Sequence, residues 1–302
     1  MIHKNILSLI GNTPMVQINN LTDKNNASIF AKLEEYNIGG SLKDRMALSL
    51  IEDAEKRGII SKSKMLLEAS SGNTGIAMSM IAAIKGYKIT IIIPESVSIE
   101  RRKLIKVYGA ELILSQGEKG TAGSIELKNK MLQCEPNKYI DLNQFKNPAN
   151  IKAHYETTGL EIIEQTQGKV DMVIIGVGTA GTGVGVSRRL KEYNSKIKIV
   201  AVMPELGVSI QGLRNPKELN PTELYDENVF DEVIEISKEL VPKTLEVGRE
   251  LAKKEGILAG ISAAAVMYIS VKKAKELGKG KIIVAILPDT GERYLSTPLF
   301  QE

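Results

Sequence analysis

A lysine follows two glycines and a serine in the stretch Asn37-Ile38-Gly39-Gly40-Ser41-Leu42-Lys43-Asp44-Arg45. Ser41 and Asp44 stand three residues apart, a spacing that suits the first turn of a helix. The unpaired N–H groups of such a turn carry positive dipole character, which favours the neutral, nucleophilic form of the Lys43 amine. The same pattern also fits an ordinary surface lysine. Whether Lys43 does chemistry therefore depends on what the rest of the chain brings to it.

A glycine- and threonine-rich loop, Gly176-Val177-Gly178-Thr179-Ala180-Gly181-Thr182-Gly183, follows a predicted buried strand and precedes a helix. Backbone N–H groups and the helix dipole in such a loop bind phosphate. Gly176, Gly178 and Gly181 also match G-x-G-x-x-G, and Glu205 ends the next predicted strand, where a ribose-binding acid would lie. Three interpretations are open: a phosphate site, a dinucleotide site or a tight packing turn.

Two other polar stretches open predicted helices. Ser70-Ser71-Gly72-Asn73-Thr74-Gly75 offers hydroxyls, an amide and N–H groups that suit a carboxylate, although Asn73 or Thr74 would also serve as a plain helix cap. Gly260-Ile261-Ser262 offers a neutral hydroxyl that would leave a ring nitrogen unprotonated, and Ser262 too fits a cap. A lysine, a phosphate loop, a carboxylate clamp and such a hydroxyl are together what a pyridoxal phosphate enzyme needs.

The elements that carry these loops are predicted from hydrophobic pattern. Short apolar strands alternate with amphipathic helices in two series along the chain, which is typical of parallel sheets covered on both faces. We therefore predict an α/β fold with two doubly wound domains and twisted, mostly parallel sheets. Ligands in such sheets bind beyond the carboxyl ends of the strands, where four loops lie: 70–75, 143–145, 176–183 and 288–293.

Composition limits the function classes. The chain has 302 residues, a formal net charge of +4, 4% aromatic residues and no Trp, which argues against nucleic acid binding. No apolar run reaches transmembrane length, and the N-terminus lacks the apolar core of a signal peptide. The single cysteine, Cys134, fits a structural role in a reducing cytoplasm. His3 and His154 are too few for a zinc site, while His154 stays open as a general base.

The order and spacing of these motifs resemble the cysteine synthase family, fold type II pyridoxal phosphate enzymes that include cystathionine β-synthase. The resemblance runs from Ile10-Gly11-Asn12-Thr13-Pro14 to Gly291-Glu292-Arg293-Tyr294-Leu295-Ser296-Thr297. Between these ends it includes Ser41-Leu42-Lys43-Asp44-Arg45, Ser71-Gly72-Asn73-Thr74-Gly75 and Gly256-Ile257-Leu258-Ala259-Gly260-Ile261-Ser262, as well as the glycine-rich loop. It displaces the dinucleotide interpretation, because a dehydrogenase has no use for the lysine or the Ser-Gly-Asn-Thr loop.

The resemblance implies pyridoxal 5'-phosphate as the cofactor, with no metal. Lys43 would hold the cofactor as a Schiff base and take the α-proton of the substrate. Asn73 would bind the ring oxygen and Ser262 would meet the pyridine nitrogen. The phosphate would be bound by Gly178, Thr179, Ala180, Gly181 and Thr182, and the substrate carboxylate by Ser70, Ser71, Thr74 and Gln144.

The resemblance also implies a domain arrangement and an assembly. A smaller, mobile domain would comprise residues 1–12 and 35–145, and a larger one would comprise residues 13–34 and 146–302 and carry the phosphate loop. The cofactor would lie in the cleft between them, in a cytoplasmic homodimer. Ile38 departs from the proline common in the family. Ala180 departs from a common glycine, which a backbone contact tolerates if φ is negative.

The implied reaction is β-replacement on a three-carbon amino acid through an α-aminoacrylate, as in a cysteine synthase using O-acetylserine or O-phosphoserine plus sulfide. Arg214, in Ile210-Gln211-Gly212-Leu213-Arg214-Asn215, would pair a substrate phosphate or else bond carbonyl groups of its own loop. The alternative is the same chemistry on L-cysteine, which releases hydrogen sulfide and forms L-serine or lanthionine. Attack by water would need a general base, for which Asp226, Asp231 and Asp289 are unranked candidates.

Overall fold

A computed structural model describes residues 2–70, 72–218 and 222–301 of the chain. Ser71, predicted to bind the substrate carboxylate, lies outside the described residues. The strands are β1 (Met15–Ile18), β2 (Ser28–Leu33), β3 (Met65–Ala69), β4 (Ile89–Pro94), β5 (Glu111–Ser115), β6 (Tyr139–Ile140), β7 (Met172–Gly176), β8 (Lys198–Pro204), β9 (Glu232–Ile236) and β10 (Ile282–Leu287).

Helices connect these strands. They are α1 (Lys43–Lys56), α2 (Asn73–Lys85), α3 (Ile99–Val107), α4 (Gly120–Cys134), α5 (Ala149–Ala153), α6 (Gly159–Gln165), α7 (Gly181–Tyr193), α8 (Val241–Glu255) and α9 (Ile261–Leu277). A π-helical turn, His154–Thr158, joins α5 to α6. Within the described ranges, no helix is long and apolar enough to cross a membrane.

The strands form two sheets, ordered β5-β4-β3-β6 and β1-β2-β10-β7-β8-β9. Every neighbouring pair is parallel except β1 and β2, which are antiparallel. All six residues of β4 are buried, as expected of a parallel strand covered on both faces. The predicted α/β fold with mostly parallel sheets is confirmed.

The start of α1 is attached to the end of β10. Ser41 and Asp289 form an isolated antiparallel bridge, and the Leu42 N–H donates to the Pro288 carbonyl at 2.9 Å. Because β10 belongs to the six-stranded sheet, these bonds hold the first turn of α1 at the carboxyl edge of that sheet. The predicted helix start at Lys43 is confirmed, and the junction fixes where Lys43 lies.

A buried cluster of four charges lies two residues beyond Lys43 in the chain. Arg45 contacts Glu34 at 2.7 Å (Nε to Oε2) and Glu161 at 2.5 Å (Nη1 to Oε1), while Lys32 Nζ lies 2.6 Å from Glu161 Oε2. The two cations balance the two carboxylates, as buried charges require. Burial alone would raise the pKa of Glu161, but hydrogen bonds and charge from Arg45, together with Lys32, lower it to about 2.

The loop before α7 corrects one expectation. Ala180 has φ +68° and ψ −14°, a left-handed conformation, so the negative φ expected for a tolerated alanine is not found. The chain changes direction at this residue, immediately before α7 begins. That change of direction requires a positive φ. A left-handed alanine costs about 1–2 kcal/mol, because its Cβ crowds the backbone.

Ala180→Gly should raise the free energy of unfolding by roughly 0.5–1 kcal/mol in a urea titration. Relief of the left-handed strain exceeds the extra freedom that glycine gains in the unfolded chain. Ala252→Gly in the interior of α8 is the matched control and should lose about 1 kcal/mol. A loss of similar size at Ala180 would contradict the left-handed assignment.

Glu161→Gln should lower the free energy of unfolding by about 3–5 kcal/mol at pH 7, because it leaves buried cations without a full counter-charge. Because the pKa of Glu161 is lowered in the folded protein, its carboxylate contributes fully to the free energy of unfolding above the ordinary glutamate pKa of about 4.3. This contribution is lost as the pH falls towards 2. Urea titrations between pH 7 and pH 3 measure this. Asp53→Asn, in an exposed pair with Arg57, should change stability by less than about 1 kcal/mol; equal effects would contradict the role of burial.

Candidate active site

A cavity of about 660 Å³ is lined by loops from both sheets. These loops follow β3, β6, β7 and β10, which places all four predicted ligand loops at one cavity. The predicted site residues that line it are Lys43, Ser70, Asn73, Thr74, Gln144, Gly178, Thr179, Ala180, Thr182, Arg214 and Ser262. Gly181 is buried just behind the cavity as the first residue of α7.

Lys43 faces this cavity from the first position of α1. Its N–H lies 3.3 Å from the Ser41 hydroxyl oxygen, which accepts this bond within the first turn. Burial lowers the pKa of the Lys43 amine to about 8, against the opposing charge of Asp289. A substantial share of the amine is therefore neutral near physiological pH, as nucleophilic chemistry requires.

Asn73 is held from both ends of its amide. Its Nδ2 donates to Asp289 Oδ2 at 2.7 Å, and its Oδ1 accepts from Arg293 Nη1 at 2.6 Å. These partners fix which end of the amide is the donor and leave one N–H of Nδ2 without an acceptor among the residues that the structure describes. Sequence reasoning missed this function of Asp289 and Arg293, although both lie in the predicted loop after β10.

The loop after β3 forms another part of the cavity wall. The Ser70 hydroxyl oxygen accepts from the N–H groups of Gly72 and Gly75 at 2.9 and 3.0 Å, which folds the chain into a tight turn. Asn73 and Thr74 are the first residues of α2, so their N–H groups have no partner within the helix. The helix start thus offers donors suited to an anion.

Thr74 and Gln144 bond to each other in this structure. The Thr74 hydroxyl donates to Gln144 Oε1 at 2.8 Å, while Gln144 Nε2 donates to Glu68 Oε1 at 3.1 Å and to the Ala69 carbonyl at 3.2 Å. All side-chain hydrogens of both residues are therefore used within the protein. Thr74 or Gln144 must therefore give up one of these hydrogen bonds before it can donate a hydrogen to a substrate.

Ser262 is the second residue of α9 and is almost fully buried at the cavity wall. The cap residue is Gly260, so the interpretation of Ser262 as an N-cap is wrong. A Cβ at Gly212 would lie 3.0 Å from the Ser262 hydroxyl oxygen. The absence of a side chain at Gly212 therefore keeps this hydroxyl accessible from the cavity side.

Two arginines line the cavity. Arg214 lies over the Phe145 ring at 5.3 Å and places its Nε 3.4 Å from Glu218. Arg101, from α3, was not among the predicted residues; its Nη1 donates to Gln211 Oε1 at 2.8 Å. The alternation of strands with amphipathic helices does not indicate which charged side chain of α3 turns towards the cavity, so the sequence analysis did not identify Arg101.

The other candidate residues lie elsewhere. Asp226 pairs with Arg188 at 3.5 Å, and Asp231 pairs with Lys191 at 2.6 Å, and neither carboxylate lines the cavity. Asp289 is fully buried beside Asn73. His154 is also fully buried and does not line the cavity, which removes it as a general base acting on substrate.

Cys134 is exposed at the last position of α4. No group of three or more histidine, cysteine or acidic side chains in the described part of the chain is arranged to hold a metal ion.

The cavity fits a phosphate-bearing pyridine cofactor. A buried amine of lowered pKa, a neutral hydroxyl and an amide with one spare N–H face the same space. The glycine-rich loop packs backbone to backbone, since a Cβ at Gly178 would lie 2.9 Å from the Gly212 carbonyl oxygen. Gly178, Thr179, Ala180 and Thr182 line the cavity at the start of α7, where the N–H groups of a loop and a helix start suit a phosphate.

Comparison with known proteins agrees with this geometry. The model of a family described as "Pyridoxal-phosphate dependent enzyme" matches residues 6–289. A cysteine synthase of Staphylococcus aureus is 45% identical over 98% of this chain and 96% of its own length. Cysteine synthase B of Salmonella typhimurium is 45% identical over 97% of this chain and 95% of its own length.

Solved structures give the same result. A hydrogen sulfide-producing enzyme from Fusobacterium nucleatum superimposes with a TM-score of 0.91 and 41% identity, covering 97% of this chain and 100% of that one. The chain therefore belongs to the cysteine synthase family of fold type II pyridoxal phosphate enzymes, whose chemistry is cofactor-dependent β-replacement.

Proposed function

We propose that Lys43 carries pyridoxal 5'-phosphate covalently and moves the α-proton of a three-carbon amino acid substrate. The buried amine at the cavity wall, with a pKa lowered to about 8, is the observation that carries this proposal. When bound, the cofactor supplies an electron sink for the electrons of the broken Cα–H bond. The amine, released when the substrate binds, then accepts the proton that leaves Cα.

The remaining residues bind and orient. Asn73 presents its spare N–H to the ring oxygen of the cofactor, and Ser262 presents its hydroxyl to the ring nitrogen. A neutral hydroxyl at that nitrogen leaves it unprotonated, which an acidic side chain would not do. Phosphate binding falls to the loop at the start of α7, through Gly178, Thr179, Ala180, Gly181 and Thr182.

The substrate carboxylate binds at the start of α2, where the N–H groups of Asn73 and Thr74 are available. Ser70, Thr74 and Gln144, which line the cavity, surround it. Because Thr74 and Gln144 bond to each other, carboxylate binding exchanges one neutral hydrogen bond for one to a charged group. This exchange selects for a carboxylate, since a neutral group would offer no gain.

Lys43→Ala should abolish β-replacement, with a loss of at least about a thousandfold in kcat, because it removes both the amine that bonds the cofactor and the group that transfers the proton. Lys119 also lines the cavity but is about half exposed and pairs with Glu126, so Lys119→Ala is the matched control. It should stay within about threefold of the unaltered enzyme. Steady-state product formation measures both, and a kcat for Lys43→Ala close to that of the control would overturn the assignment.

The substrates that fit best are O-acetylserine or O-phosphoserine as amino acid donor and sulfide as nucleophile. The names of the Staphylococcus and Salmonella relatives support a cysteine synthase. The guanidinium of Arg214 at the cavity wall supports O-phosphoserine in particular, because a guanidinium recognises phosphate through paired hydrogen bonds.

Arg214→Ala should lower kcat/KM for O-phosphoserine by roughly 10- to 100-fold, the value of a hydrogen-bonded charge pair. The kcat/KM for O-acetylserine should change by less than about threefold, because its acetyl ester group carries no charge. Arg188→Ala, which removes an exposed arginine paired with Asp226, is the control and should leave both values unchanged. Equal losses with the two substrates would refute the phosphate role.

The second candidate is the same chemistry on L-cysteine, with hydrosulfide leaving and L-serine or lanthionine formed. The likeness to the Fusobacterium hydrogen sulfide-producing enzyme supports it. Of the candidate general bases, only Asp289 lies next to the site, and both its position beside Asn73 and its burial favour a holding role. A parallel assay of O-acetylserine plus sulfide, O-phosphoserine plus sulfide, and cysteine alone, with every product identified, separates the candidates.

The domain arrangement and assembly complete the proposal. Residues 1–12 and 35–145 form the smaller, mobile unit and contain all strands of the four-stranded sheet; residues 13–34 and 146–302 form the larger unit. The family resemblance supports closure of the smaller unit on substrate and a homodimer. The exposed free thiol of Cys134 is compatible with the reducing cytoplasm.

A further inference from the structure

A helical segment runs behind the glycine-rich loop and contacts both of its threonines. Asn150, in α5, donates from Nδ2 to the Thr179 hydroxyl oxygen at 3.0 Å. His154, one helical turn later, places its Nε2 3.1 Å from the Thr182 hydroxyl oxygen. Side chains four residues apart lie on one face of a helix, so a single face reaches both threonines. Asn150 and His154 are fully buried, whereas Thr179 and Thr182 line the cavity.

Glycines in α7 bring this face close to the loop. A Cβ at Gly181 would overlap the side-chain amide of Asn150, and a Cβ at Gly185 would overlap the Ile151 carbonyl and lie 3.0 Å from the His154 Cβ. Larger residues at either position would push the helical segment away. The contacts of Asn150 and His154 with the threonines therefore depend on this close approach.

We propose that Asn150 and His154 are positioning residues that direct the hydroxyl hydrogens of Thr179 and Thr182 into the cavity, towards the cofactor phosphate. The inference rests on the phosphate role proposed for residues 178–182. Each of the two residues donates a hydrogen to a threonine oxygen, so that the threonine keeps its own hydrogen for the phosphate. The pair acts through the threonines and does not touch the cofactor.

The donor at Asn150 is fixed by chemistry. An amide nitrogen has hydrogens and no free lone pair, so Nδ2 donates and the Thr179 oxygen accepts. Its second hydrogen goes to the Gln144 carbonyl at 2.8 Å, which holds the amide in this orientation. The Thr179 hydroxyl hydrogen is then free to point into the cavity.

The donor at His154 depends on its tautomer. For Thr182 to keep its hydrogen, Nε2 of the ring must carry a proton, and Nδ1 must then accept one. Thr158 meets that need, since its hydroxyl oxygen lies 2.9 Å from Nδ1 and can donate to it. The opposite tautomer would make Thr182 donate into the ring and turn only oxygen lone pairs towards the phosphate.

The ring is neutral in this position. Burial lowers the pKa of His154 well below its ordinary range, with the positive charges of Arg45 and Lys43 acting in the same direction and Glu161 opposing them. Two neutral tautomers fit the two threonine hydroxyls that flank the ring, and the proposal assigns the one protonated at Nε2.

Nitrogen-15 NMR of the holoenzyme tests the tautomer without any change at the site. The chain has only two histidines, His3 and His154, so ¹⁵N-histidine labelling gives two imidazoles, and His3→Gln identifies them. We expect the His154 ring to show a protonated Nε2 and a bare Nδ1 at pH 7. A proton on Nδ1, alone or together with one on Nε2, would overturn the proposal.

A set of variants tests whether His154 acts through Thr182. The measured quantity is the rate at which each holoenzyme loses its cofactor to a reagent that traps the released aldehyde. His154→Leu and Thr182→Val should each speed cofactor loss by about tenfold, the value of one hydrogen bond to a charged group. The double variant should be no worse than either alone, because both remove the same bond to phosphate. His154→Gln, which retains an N–H donor, should restore most of the retention. Ser270→Ala removes a buried hydrogen bond in α9 and is the control for general loss of stability, with no expected effect on retention.

These outcomes separate the inference from the function it rests on. If Thr182→Val leaves cofactor retention unchanged, the proposed phosphate loop itself is wrong. If Thr182→Val speeds the loss but His154→Leu does not, the loop stands and the positioning role of His154 is refuted.

Discussion

The junction between the start of α1 and the end of β10 is the constraint on which the site depends. The bridge from Ser41 to Asp289 and the bond from Leu42 to Pro288 hold the helix start that carries Lys43 against a strand end. The same strand end supplies Asp289, which bonds Asn73 and the Tyr294 hydroxyl at 2.7 and 2.6 Å. One short segment thus fixes an amine and an amide that come from different parts of the chain.

A buried cluster of charged side chains lies next to this junction in the chain. Arg45, two residues after Lys43, is locked between Glu34 and Glu161, which belong to other elements. Such a cluster contributes little net stability compared with an apolar core, but it is costly to disturb once formed. The position of the helix start also buries the amine, and burial is the main cause that lowers the Lys43 pKa. Position and reactivity of the amine therefore have a common structural origin.

Periodicity and loop chemistry predicted the elements and the four ligand loops, because buried parallel strands and helix starts leave strong local signals. Side chains that act across the fold could not be predicted in the same way. Arg293 orients Asn73 and His154 meets Thr182, yet each pair is far apart in sequence and has no local pattern. The sign of φ at Ala180 could not be predicted for another reason, since an alanine in the sequence gives no indication of a left-handed conformation.

The central claim is that the amine in this cavity which bonds the cofactor is that of Lys43, held there by the junction with β10. Borohydride reduction of the holoenzyme, followed by peptide mapping with mass spectrometry, tests it directly. We expect one modified peptide, which contains residues 43–45 and carries the added mass on Lys43. Modification of another lysine in its place, or a protein that takes up no pyridoxal phosphate, would contradict the account.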